Sequence, residues 1–404
     1  MRRFLSAAGA LLACGAMAQP QQPDLPAPYA TPSAVKVAKV VGWSANEAPT
    51  APPGFAVNAY AQGLANPRWL LVLPNGDVLV AEPRRGKAAA GADRVTLLRD
   101  ADGDGVAEQR FVLLDGLDRP FGMLLRRDRL YVASTDAVWS YSFLVGQTRI
   151  NSPPRKLFDL PAGPRNSHWT RSLATDPDEK RLYVAVGSAT NVDEERIDEK
   201  QPQRAAILSA RWDGSDLGVF ASGLRNPVGM AFEPTSGRLW TVVNERDMLG
   251  DDLVPDYLTE VRQGAFYGWP YSYFGSHEDP RKRGERPDLV ARAVVPDFAL
   301  GAHTASIGLA FYKARAFPER YRGGAFIGQH GSWNRSQFAG YRVVFVPFEA
   351  GRPVGPAQDF LTGFIKDEAS NEVYGRPVGV AVARDGALLV ADDAGKVVWR
   401  VAPR

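Results

Sequence analysis

A chain of 404 residues with 45% apolar content can bury a sizeable core and suits one large all-β domain or two smaller ones. Its 48 basic and 45 acidic residues leave a formal charge of only +3 with no basic block, which argues against a nucleic-acid surface. The single cysteine, Cys14, leaves the body of the chain without disulfide or thiolate-metal chemistry.

Residues 1–18 read as a secretory signal: Arg2 and Arg3, an apolar run from Phe4 to Met17, and an Ala-x-Ala cleavage site ending at Ala18. The run is too short to span a membrane, and no later stretch is long and apolar enough. The expected location is therefore periplasmic or secreted. Leu11-Leu12-Ala13-Cys14 also admits a lipoprotein signal, with lipid attachment at Cys14. Residues 19–53, rich in Pro, Ala and Gln, are expected to form an extended, partly disordered arm leading into a domain over 54–404.

Beyond the arm one pattern recurs: a Gly, Asn or Asp turn, an Arg or Pro, an apolar run, a polar turn and a second apolar run. Its copies begin at Gly63, Gly116, Asn166, Gly223, His303 and Gly375. Each holds two strand-like runs joined by a tight turn, such as Pro74-Asn75-Gly76-Asp77, and the intervening residues supply two more strands. Repeats at this spacing without helical periodicity predict an all-β, six-bladed β-propeller with four-stranded blades. A β-sandwich with a second domain is the alternative.

A closed ring brings the start of each inner strand to one channel mouth. Arg68, Arg119, His168, Arg225, Thr304 and Arg376 occupy that point in their copies and are expected to converge. In chain order, Asp100-Ala101-Asp102-Gly103-Asp104-Gly105 matches the first half of an EF-hand loop but has Phe111 where that loop needs Glu, so it is read as a hairpin turn able to hold structural calcium. His168, beside Trp169 and Arg171, is the candidate general base, because imidazole exchanges protons near neutrality; a hydrogen-bonding turn histidine is the plainer reading. Arg225-Asn226 and Arg376 place fixed cations and an amide at equivalent points, suited to an anionic or quinone ligand or to tying blades together.

Asn244 to Leu258 is an acidic excursion that includes Arg246, Asp247 and Asp251, offering the carboxylate and carbonyl oxygens Ca²⁺ prefers, or forming a solvated turn. GQHGSWNR concentrates His330, Trp333, Asn334 and Arg335, a set able to stack on and hydrogen-bond a planar polar ligand, or to fill a layer between blades. No Rossmann glycine motif, Walker A sequence, HExxH or GxSxG stands in a suitable context, so a redox role requires another electron carrier.

Together GLRNPVG, NERDMLGDDLVPDYLT, FYGWPYSY, GQHGSWNR and GRPVGVAVARDGALLVADD resemble the sorbosone dehydrogenase family, related to the soluble glucose and aldose dehydrogenases that use pyrroloquinoline quinone (PQQ). The resemblance runs from about Phe55 to Val401 and implies oxidation of a sugar or sugar-derived aldehyde, with PQQ over the channel mouth and Ca²⁺ polarising it. It makes His168 the base and implies cofactor contacts from Arg225, Asn226 and Arg376; Thr304 by its place in the repeat, and His330 and Arg335 in GQHGSWNR, complete the candidate cofactor set, and Arg246, Asp247 and Asp251 are the candidate metal contacts. The glucose enzymes carry a Gly-Pro pair where Arg246-Asp247 stands and a lysine in the fifth blade where this chain offers His330 and Arg335. The expected partners are a small-molecule substrate and an external electron acceptor, a cytochrome or a quinone. A glycan- or protein-binding propeller without activity, and a calcium-dependent lactonase-like hydrolase, are the competing readings.

Overall fold

The computed structural model describes residues 23–84, 93–194 and 196–404. The signal and Cys14 readings therefore lie outside the described residues. Among the described residues, six antiparallel four-stranded sheets follow one another along the chain. Sheet I comprises Trp69–Val72, Val78–Glu82, Arg94–Arg99 and Gln109–Leu114. Sheet II comprises Met123–Arg126, Arg129–Ala133, Ala137–Ser142 and Arg155–Asp159. Sheet III comprises Leu173–Thr175, Leu182–Val186, Ala206–Ala210 and Gly218–Ser222. Sheet IV comprises Pro227–Phe232, Leu239–Val243, Pro255–Glu260 and Phe298–Ala302. Sheet V comprises Ala310–Phe311, Ala325–Gln329, Arg342–Val346 and Gln358–Leu361.

Sheet VI combines the two ends of the domain. Pro377–Val382, Leu388–Asp392 and Val397–Pro403 are completed by Phe55–Gln62, with Phe55 opposite Pro403 and Gln62 opposite Val397. The inner strands neighbour one another in the cycle I–II–III–IV–V–VI–I, so the sheets close on themselves.

Side-chain alternation explains why the second strands are buried throughout. Successive residues point to opposite faces, and here each face meets another sheet. In Val78–Glu82, Leu79 and Ala81 pack with Phe121 and Leu130 of sheet II, whereas Val78 and Val80 pack with Leu389 and Val398 of sheet VI. The remaining gaps are filled likewise, by Val184 with Tyr131, Met230 with Ile207, Leu258 with Ile327, and Val390 with Phe345. The glycine that recurs at the inner strands of four sheets, Gly122, Gly229, Gly308 and Gly379, has a steric cause: a Cβ on Gly379 would lie 2.6 Å from the carbonyl oxygen of Arg68, and one on Gly122 would lie 2.6 Å from that of Arg171. Any larger residue would push neighbouring sheets apart at the axis.

The described part of the arm is extended, but it is held at several points rather than loose. Tyr29 N–H donates to the Leu249 carbonyl at 2.8 Å, Thr31 Oγ1 accepts from Asp251 N at 2.7 Å, and Lys36 N–H donates to the Trp333 carbonyl at 2.8 Å. Lys39–Val40 pairs in parallel with Glu372–Val373. Trp43 stacks on Tyr374 at 4.7 Å and donates its indole N–H to Asp392 at 2.7 Å. The polar composition that suggested disorder instead serves backbone and side-chain docking across the loops of sheets IV, V and VI.

Candidate functional site

One cavity of about 530 Å³ lies where the sheets' inner strands begin; Arg68, His168, Trp169, Arg225, Asn226 and Arg376 are among its lining. Four of the six aligned mouth residues therefore share it. Arg119 does not line it; its guanidinium instead sits 5.6 Å from the Trp169 ring. Thr304 does not line it either. Its hydroxyl donates to Asp256 at 3.1 Å and lies 2.8 Å from Ser306 Oγ, while the left-handed backbone at His303 (φ 60°) and Ala305 (φ 51°) turns those neighbours to the cavity.

His168 is partly exposed to the cavity and held through one nitrogen. Nδ1 lies 2.9 Å from both the carbonyl oxygen and the hydroxyl oxygen of Ser188. That hydroxyl donates its own hydrogen to the Thr190 carbonyl at 2.7 Å, so both neighbours of Nδ1 are acceptors and Nδ1 carries the proton. Nε2 is left with a free lone pair. Burial, then the Arg225 charge, lowers the His168 pKa to about 3, so the ring is neutral at neutral pH. Gly187 makes room for this arrangement, since a Cβ there would fall 2.4 Å from Asn226 Oδ1 and 2.5 Å from the His168 Cβ. Asn226 Oδ1 is buried with no hydrogen-bond partner.

Arg225 is 2% exposed and all its N–H groups are committed. Nε donates to the Asn191 carbonyl at 3.3 Å, Nη1 to the carbonyls of Asn244 at 3.2 Å and Glu245 at 2.6 Å, and Nη2 to Asn191 Oδ1 at 2.8 Å and Asp247 Oδ2 at 3.1 Å. Its role in this state is a fixed charge at the floor. Arg68 differs: Nη1 pairs with Asp393 at 2.6 Å, and Nε is buried with no partner. Arg376 donates from Nε to the His330 carbonyl at 2.8 Å and from Nη2 to the Gly331 carbonyl at 2.7 Å. His330 lines the cavity and sets Nε2 3.0 Å from both oxygens of Asp393.

Of the metal set, only Asp247 lines the cavity. Burial opposes its ionisation, but the His303 contact and the Arg225 charge prevail and hold its pKa below the usual carboxylate value. Arg246 is turned into the protein, where it pairs with Asp279 at 2.7 Å. The Asp251 carboxylate accepts from Ser336 N at 3.0 Å, outside the cavity. Arg335 is likewise outside, pairing with Asp252 at 2.8 Å and thus tying a loop of sheet V to one of sheet IV. At the sheet I hairpin, Glu108 joins Asp100, Asp102 and Asp104, with ligand atoms of the four within 4.8 Å of one another. That fourth carboxylate comes from the loop's ninth position rather than from the twelfth, where Phe111 stands.

His303, Asp393, Asn191 and Met248 were not singled out from the sequence. His303 lines the cavity, with Nε2 2.8 Å from the Gly250 carbonyl and Nδ1 3.6 Å from Asp247. Its place at the head of the fifth repeat was a usable signal. Asp393 is the second acid of the closing Ala-Asp-Asp run, and nothing local marks its partner Arg68, 325 residues away.

A profile of the TrAA12-like family matches residues 49–271 and 284–403. An uncharacterised protein of Borreliella burgdorferi is 28% identical over 87% of this chain and 89% of its own length. A pyrroloquinoline quinone-dependent pyranose dehydrogenase of Coprinopsis cinerea is 26% identical over 85% of this chain but only 53% of its own length, so the chain spans about half of that relative. The calcium structure of the Trichoderma reesei family AA12 protein superposes with a TM-score of 0.73, at 20% identity, over 91% of this chain and 98% of that one. These likenesses extend to PQQ-dependent sugar dehydrogenases as a class and do not single out the sorbosone enzymes.

Proposed function

Because the chain belongs to the TrAA12-like family, we propose that it is a PQQ-dependent dehydrogenase oxidising a sugar or sugar-derived aldehyde, of sorbosone or aldose type, in the cavity at the mouth of a six-bladed propeller. The observation that carries this reading is the charge and saturation of the lining. Arg68, Arg225 and Arg376 line the cavity with a single lining carboxylate, Asp247, Arg68 being paired besides with Asp393, and the Arg68 Nε is buried without a partner. A buried donor left unmatched costs about 1–3 kcal/mol unless a ligand satisfies it. A planar tricarboxylate is the kind of molecule that does so, and 530 Å³ is room for it and a small substrate.

The residues fit PQQ in that sense. Arg68 and Arg376 would hold its carboxylates, and Trp169 and Asn226 would contact its ring and polar edge. When bound, PQQ supplies the two-electron acceptor that no protein side chain provides. His168 presents Nε2 as acceptor for the substrate's hydroxyl proton, fixed in that tautomer by Ser188. The fit to Ca²⁺ is narrower. Asp247 is the one acidic group lining the cavity among the described residues, so an ion there would take its carboxylate and main-chain oxygens. The side chains of Arg246 and Asp251 are engaged elsewhere. The expected electron acceptor is an external cytochrome or quinone, in the periplasm or outside the cell.

The test is dye reduction by purified protein with PQQ and Ca²⁺ added or withheld, across aldoses, sorbosone and sugar alcohols. Turnover that requires PQQ supports the reading. Folded protein that neither binds PQQ nor reduces dye would overturn it, and hydrolysis of a lactone without any acceptor would install the hydrolase instead.

A further inference from the structure

The same cavity holds a second histidine whose setting is the reverse of the first. His330 sets Nε2 3.0 Å from each carboxylate oxygen of Asp393, closer than the Arg68 Nη1 at 3.4 Å, and no hydrogen bond of its Nδ1 occurs among the described residues. Asp393 is 8% exposed and is also bound by Arg68 at 2.6 Å. A carboxylate so placed stays ionised, accepts the Nε2–H and fixes the tautomer with the lone pair on Nδ1. Ser188, the corresponding partner of His168, is neutral. An anionic partner stabilises an imidazolium; a neutral one does much less.

What keeps His330 uncharged is its surroundings. Arg68, Arg376 and Asp393 are the charged groups facing it, and after burial itself the Arg376 charge is the largest influence lowering its pKa, to about 3. Both arginines line the cavity. An anion seated against them would cancel their effect on the ring while leaving Asp393 in place.

We propose that His330, held by Asp393, is a proton-binding group of the cavity distinct from His168, and that it takes up a proton at Nδ1 when a polycarboxylate ligand seats against Arg68 and Arg376. The proposal rests on the PQQ reading above. The balance is simple: one solvent proton binds Nδ1, the Nε2–H stays with Asp393, and no electrons move. The bound anion is thereby met by one cation more than the arginines provide, and an acid is stored beside the ligand at a residue other than His168.

Calorimetric titration with PQQ in buffers of different ionisation heat measures this uptake directly. A seated anion offsets the arginine charges but not the burial, so uptake from this residue grows as pH falls below the ordinary histidine value near 6.5, toward one proton per ligand. His330→Gln is expected to lose that uptake, whereas His168→Gln keeps it. Asp393→Asn moves the uptake to lower pH. In the unsubstituted protein, imidazole ¹⁵N spectra below that pH should show the His330 Nδ1 signal shifting toward the protonated position on PQQ addition, a readout that needs no variant. PQQ bound to saturation with uptake unchanged in His330→Gln overturns this inference alone. Absence of PQQ binding to the unsubstituted protein overturns the cofactor reading and this inference with it.

Discussion

Arg68→Met separates what the Arg68–Asp393 pair does for the fold from what it does for ligand binding. The side chains are 12% and 7% exposed, and the pair joins the start of sheet I to the end of a sheet VI strand. Removing one partner of a buried pair typically costs about 3–5 kcal/mol, because the other charge is left uncompensated. Here Asp393 keeps His330, at 3.0 Å, so the lower end, about 3 kcal/mol, is expected for the single variant. Replacing both partners, as Arg68→Met with Asp393→Leu, should recover most of that loss, since an apolar pair of similar volume is often neutral there. Affinity for PQQ should not recover. The unmatched Nε belongs to Arg68, and a hydrogen bond to a charged group is worth about 1.5–3 kcal/mol, roughly a 10- to 150-fold rise in Kd for single and double variants alike. Urea unfolding and PQQ titration of the three variants provide the cycle. A single variant as stable as the parent would refute the energetic argument; a double variant that binds PQQ at parental affinity would refute the assignment of Arg68 to the ligand.

His168→Gln removes the proton acceptor while keeping a side chain of similar reach, so steady-state dye reduction should fall about 10²–10⁴-fold with PQQ affinity within a few-fold of the parent; turnover near the parental rate with PQQ bound sinks the role given to Nε2. Asp77, in the first turn of sheet I, is bound by Arg99 through two contacts at 2.8 Å, which outweigh burial and keep its pKa below the usual value. Its folded pKa is depressed, so its contribution is present above the unfolded value near 3.9 and is lost as pH falls through and below it. Asp77→Asn should therefore flatten the acid side of the stability profile, by about 1.5–3 kcal/mol at pH 7 and by little at pH 2–3; an equal loss at both pH values would point to packing instead.

The parts of the fold that could be read in advance are those where one local cause repeats. The inner-strand glycine recurs because a Cβ at Gly122 or Gly379 meets the neighbouring sheet's backbone, and the apolar second strands recur because both faces are covered. Mouth residues followed from the same register, which is why Arg68, His168, Arg225 and Arg376 share a cavity. Thr304 and Arg335 do not line the cavity. Left-handed backbone on both sides of Thr304 turns His303 and Ala305 to the cavity in its stead, and Gly331 (φ 96°) redirects the chain before Arg335 reaches Asp252. Neither torsion is written in the residue types around it.

Long-range pairing was the other hidden layer. Asp393 and Arg68 stand at opposite ends of the domain's sequence and meet because the first and last sheets pack side by side, with Gly379 N–H donating to the Arg68 carbonyl and Phe55–Gln62 completing sheet VI. The cavity's electrostatics thus depend on ring closure. Arg68 partners Asp393, Asp393 holds His330, and Arg376 of the same sheet fixes the His330 carbonyl at 2.8 Å. His168 sits apart from this chain, held by Ser188 and influenced by Arg225. The two histidines line one space but are each fixed through one ring nitrogen by partners of different charge, the neutral Ser188 and the carboxylate of Asp393, so the two sides of the cavity differ in electrostatics although they share it.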